Sequence, residues 1–72
     1  MDLRDIELIE RLAEGDGELA VLWRRHRELE QALERLEERR FLTPQERQRR
    51  EELKKAKLAG RDRIQAILEE HK

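Results

Sequence analysis

The chain of 72 residues contains no cysteine, serine, tyrosine or asparagine. Without cysteine there is no disulfide, no thiolate nucleophile and no Cys-based zinc site. Without serine there is no serine nucleophile. Aromatic residues are 3% of the chain, only Trp23 and Phe41, and there is one proline. No apolar run approaches the roughly 18 residues of a membrane span. The opening Met1-Asp2-Leu3-Arg4-Asp5 is acidic and has no apolar h-region, so it reads as a cytoplasmic start rather than a signal peptide. No glycine-rich phosphate loop, catalytic triad or metal box is present. Carboxylate pairs carry no information in a chain with 18 acids. A single chain of this size buries one or two helical seams, not a pocket deep enough to shift catalytic pKa values. The expectation is a protein that is not an enzyme and has no cofactor, no metal and no membrane span.

What is abundant is charge, at 49% of residues, and leucine, with twelve copies beside four isoleucines. The net charge of −1 is unevenly placed: residues 1–18 carry −5, residues 19–40 +1 and residues 41–72 +3. An acidic head thus precedes a mildly basic tail. These are either solvated helix faces or an electrostatic docking surface.

The apolar spacing predicts an all-α fold. Leu3, Ile6, Ile9, Leu12 and Ala13 mark one side of a short helix over residues 2–14. Gly15 suits a left-handed position after it, and Asp16 an N-cap for the next helix. From 18 to 40, Leu19, Leu22, His26, Leu29, Leu33 and Leu36 keep a strict 3-4-3-4-3 rhythm, a heptad seam with His26 at an a position. Thr43-Pro44-Gln45-Glu46 is a strong helix start: Thr43 caps, Pro44 sits where a missing N–H is harmless, and Glu46 completes a capping box. The last helix is placed at 44–70. A connection of about three residues folds the two long helices into an antiparallel, coiled-coil-like hairpin within one domain spanning 1–72. That hairpin sets Leu29 opposite Ala56, Leu22 opposite Ile64 and Leu19 opposite Ile67. Gly60, costly in a helix interior, is expected to make room for the ring of Trp23 or His26.

The segment Leu22-Trp23-Arg24-Arg25-His26-Arg27-Glu28-Leu29, continued by Leu36-Glu37, resembles the first-helix signature of the YdcH-like family of short bacterial proteins. The run Leu53-Lys54-Lys55-Ala56-Lys57-Leu58-Ala59-Gly60-Arg61-Asp62-Arg63-Ile64 is similar to the family's second-helix run, and Glu7-Leu8-Ile9 also fits. Two positions depart from it: Gly60 stands where a Leu is expected, and Arg61 where a Lys is. The resemblance implies a self-associating helical hairpin and carries over no catalytic residue.

Three surface readings follow. A two-helix hairpin is marginal alone, so a homodimeric four-helix bundle is expected, with Val21, Trp23, Phe41 and Leu58, all off the main seam, as its second contact. The leading function is a homo-oligomeric adaptor that presents charged faces to a protein partner. The alternative is a nucleic-acid accessory protein using Arg47, Arg49, Arg50, Lys54, Lys55, Lys57, Arg61 and Arg63 on phosphates. His26 is read as a half-buried imidazole bonded to a facing carboxylate such as Asp62, with a metal or pH-sensing role as the remoter options.

Overall fold

The computed structural model describes residues 2–71 and consists of three helices: α1 (Leu3–Ala13), α2 (Gly17–Glu37) and α3 (Pro44–Glu70). α2 and α3 run antiparallel as a hairpin, and α1 packs along one flank of it, touching both. The body measures 42 × 19 × 17 Å, so its length is that of α3.

Each helix begins where the side chains dictate. The Asp2 carboxylate accepts from the Asp5 N–H and starts α1. Asp16 does the same for the Leu19 N–H of α2. Thr43 and Glu46 form the reciprocal capping box of α3, at 3.1 Å and 3.0 Å, with Pro44 in its first turn. Such a cap is worth about 1 kcal/mol to the helix it opens.

Two boundaries depart from the sequence reading. α2 ends at Glu37, not at 40, so the connection covers residues 38–43. Leu36 is the last apolar residue of the seam; beyond it nothing anchors another turn. Glu37 and Glu38 also place negative charge at the negative end of the helix dipole. The chain tightens instead, with the Arg39 N–H donating to the Leu36 carbonyl, and Arg39 then turns its guanidinium onto Glu46 of the capping box. Gly15 does not adopt a left-handed conformation; no described residue has positive φ. The α1–α2 turn closes through the Gly15 and Asp16 N–H groups, both on the Leu12 carbonyl, at 3.1 Å and 3.0 Å.

The core lies at the α1 end. Ile9, Leu19, Ile64, Ile67 and Leu68 form one buried cluster, with Leu8, Leu12, Ala13, Leu22 and Trp23 packed on it. Leu19 and Ile67, set opposite each other by the hairpin register, share this cluster, and Leu22 packs against the cluster that holds Ile64. Toward the loop the seam thins: Leu33 is buried, while Leu29, Leu36 and Leu53 are half-buried.

Candidate interaction surface

The two flanks of the hairpin differ. On the α1 flank, the upper half is covered by α1. At about 100° per residue, Arg47, Arg50, Lys54, Lys57 and Arg61 form a basic stripe on this side of α3. α2 answers with Glu30, Glu34 and Glu37 at matching levels. Arg50 and Lys57, turned toward α2, are half-buried. Helical spacing thus puts part of the basic stretch on the same flank as acids of α2. Arg49 and Arg63 lie on the opposite flank, where Arg63 bonds Glu18 at 2.6 Å across the helices. The eight bases expected on phosphates are thus not brought to one face.

His26 sits at the seam and is 5% exposed. Its partner is not Asp62, which is exposed, but Glu30 one turn along its own helix, at 2.6 Å from Nε2. The rings of Trp23 and His26 stack at 5.7 Å and 14°. The Glu30 carboxylate accepts the hydrogen bond that Nε2–H donates, so in the neutral ring Nδ1 carries the lone pair, and it is buried without a partner. Burial lowers the His26 pKa below its ordinary 6.5, helped by the Lys57 ammonium and opposed by Glu30. The net effect favours the neutral imidazole. Among the described residues no three His, Cys, Asp or Glu side chains converge as a metal would need.

Gly60 makes room for neither ring. A Cβ built there meets nothing within 4 Å. Its position opens onto a cavity of about 360 Å3 bounded by Leu22, His26, Ala59 and Arg63. A second cavity of about 390 Å3 continues toward the loop between Ala32, Leu53, Arg49 and Glu52. Arg25, Leu29 and Ala56 border both, so the two are one groove along the flank that α1 leaves bare. Its floor is leucine, alanine and glycine; its rims are Arg and Glu.

The four off-seam apolar residues do not form one patch. Val21, 53% exposed, lies one turn before Arg25 on the same row of α2. Trp23 lies on the other side of α2, against the core. Leu58 is exposed on the outer face of α3, and Phe41 is 83% exposed in the loop. Around Phe41, the arginines 39, 40, 47 and 50 border a cavity of about 480 Å3. Arg39 is tied to Glu46, and the Arg50 Nε is buried without a partner.

Sequence reasoning missed the groove. The signal was nonetheless present: Glu18, Val21, Arg25, Glu28, Ala32 and Arg35 repeat the 3-4-3-4-3 rhythm of the leucine seam, one position before it. Only two of those residues are apolar, so a search for hydrophobic periodicity passes over them.

The profile of a family described as "Protein of unknown function (DUF465)" matches residues 19–68, which is most of α2 and α3 with their loop. No curated protein and no solved structure matches the chain. None of the described helices is long and apolar enough to cross a membrane.

Proposed function

For a chain that belongs to this family, which contains the YdcH-like small bacterial proteins, we propose the role of a non-catalytic helical interaction module. It is a homo-oligomeric cytoplasmic adaptor whose charged outer faces engage a protein partner. The observation that carries this reading is the bare groove between α2 and α3. An apolar floor with charged rims, open along the length of a hairpin, is what a further helix packs into. An isolated hairpin also leaves Leu22, Leu29 and Leu53 only half-buried. Association would complete their burial, at about 25 cal/mol per Å2 of apolar surface removed from water.

The test joins two measurements. Light scattering over a concentration series should give a mass above that of one chain. Capture from an extract of the native host, with and without nuclease, assigns the partner class. A protein retained after nuclease supports the adaptor; a chain that stays monomeric and retains nothing contradicts it.

A second reading has one observation in its favour. The exposed Phe41 ring stands among the arginines of the loop end, and an aromatic plate among cations suits single-stranded nucleic acid. Loss of every captured partner on nuclease treatment, with retention on heparin that falls steeply with salt, would move the assignment there.

A further inference from the structure

We infer that the occupant of the groove is a second copy of this chain, turned over by a two-fold axis that crosses the groove at its middle. This rests on the association proposed above and specifies its partner, register and direction.

Arg25 and Leu29 of α2 line one cavity together with Ala56 and Gly60 of α3, which places α2 residues 25–29 level with α3 residues 56–60. The middle of the groove is therefore near 26–27 on α2 and 57–58 on α3. A two-fold axis at that level, running from α2 toward α3 between the two molecules, lays each helix antiparallel on its own copy. On α2 it pairs Arg25 with Glu28 of the second copy, Val21 with Ala32, and Glu18 with Arg35. On α3 it pairs Glu52 with Arg63 of the second copy and Ala56 with Ala59. Each pairing occurs twice, as an isologous contact requires.

Every charge on these rows except Arg49 meets its opposite. Arg49 meets Ala66 of the second copy, a neutral position. The residues nearest the axis on α3, Ala56, Ala59 and Gly60, are small, so the helices can approach closely. That accounts for a glycine at position 60 with open space before it. It also accounts for Val21, exposed in the single chain, which covers Ala32 of its copy. Glu18 already holds Arg63 at 2.6 Å. In the pair, Arg35 of the second copy joins Glu18, and Glu52 of the second copy joins Arg63, in one alternating row of charges.

The other two-fold arrangement, with the axis parallel to the helices, sets α2 against α3 of the second copy. It brings Arg35 against Arg49 and Glu28 against Ala56. Charge complementarity therefore selects the first arrangement, in which all neighbouring helices of the bundle are antiparallel.

The pairing makes a reciprocal prediction on exposed positions. Arg25→Glu or Glu28→Arg alone puts like charges together twice and should weaken the dimer at least about tenfold in Kd. The double exchange R25E/E28R should restore it to within about threefold of the parent. Helicity by circular dichroism should be unchanged throughout. A single exchange that leaves the dimer intact, or a double exchange that fails to restore it, overturns the register.

A second measurement uses the absence of native cysteine. Val21→Cys and Ala32→Cys chains, mixed and mildly oxidised, should cross-link to each other and not to themselves. Each variant carries a single cysteine, so no bond within one chain competes. Self-cross-linking of either variant, or no cross-link in a dimeric mixture, also overturns the register. A parent chain that is monomeric at every concentration removes the association itself.

Discussion

The two ends of the hairpin are built differently. At the α1 end, three helices close over Ile9, Leu19, Ile64 and Leu68, all with no exposed surface. At the loop end, two helices share one stripe, and Leu33 is its only buried leucine. The first is a small core; the second is a zipper held by one row of side chains and a capping box. Local stability follows buried apolar contact, so the hairpin should open from the loop and hold at α1. The weaker end is also the one flanked by the lower half of the groove, so association would add most where the single chain has least.

The largest effect should come from breaking the strong end. Ile64→Ala leaves a hole in a site walled by three helices and should cost about 2–5 kcal/mol. The whole stability of a 72-residue domain is roughly 4–11 kcal/mol, so this is a large share of it. Leu53→Ala, in a half-buried site that borders the open groove, should cost less than half as much. Denaturant unfolding at fixed protein concentration measures both. Amide exchange on the parent should show the slowest protons in α1-contacting turns and the fastest beside the loop. Equal costs at the two sites would abolish the distinction between core and zipper.

How much of this was legible in the chain depends on which force set each feature. The helix starts at Asp16 and Thr43 were readable because a cap is a local hydrogen bond whose partners lie three residues apart. The α2–α3 pairing was readable because the leucines keep a helical period. The end of α2 was not, since it depends on a balance of weak terms after Leu36: no seam residue, adverse acids, and a competing bond from Arg39 to Glu46. The heptad position of His26 points across the hairpin, toward Asp62. An i,i+4 carboxylate on the same helix costs less ordering and took the bond. Gly60 suggests space for a ring of its own chain. The rings instead stack on each other along α2, and the space stays open. The groove itself was hidden because its periodicity is written in charges and alanines.

His26 lies between the two ends and offers an intermediate effect. Its neutral form is the native one, with Nδ1 buried and unpartnered. The charged groups acting most strongly on it are Glu30 from its own helix and Lys57 from α3. A base whose folded pKa lies below its unfolded value binds fewer protons when folded. Stability is then full above the unfolded value of 6.5. It declines as pH falls through 6.5 and levels off below the folded value, where both states are protonated. His26→Leu restores an apolar a position and removes the unpaired nitrogen. It should stabilise by about 1 kcal/mol at pH 7. It should also flatten the profile between pH 7 and pH 5, as thermal melts at each pH would register. A parent and variant with parallel profiles would show that the imidazole does not titrate against the fold.

The smallest expected effect tests the weak end at its last fastening. Thr43→Ala removes the hydroxyl that receives the Glu46 N–H and should cost about 0.5 kcal/mol, the low end for an exposed cap. The loss should speed amide exchange in the first turns of α3 and leave Ile64 and Leu68 protected, because no core residue touches the cap. The same box has an acid signature. The Thr43 N–H, above all, holds the Glu46 carboxyl below its ordinary 4.5, and Arg39 adds to this. A carboxylate with a depressed folded pKa stabilises fully above 4.5 and loses that contribution as pH falls through the folded value. Glu46→Gln should therefore match the parent more closely at pH 3 than at pH 7, with the difference confined to the loop end. If instead the Thr43 variant loosened α1 and the buried isoleucines as much as the start of α3, the hairpin would open as one unit. The contrast between a core and a zipper would then describe packing but not stability.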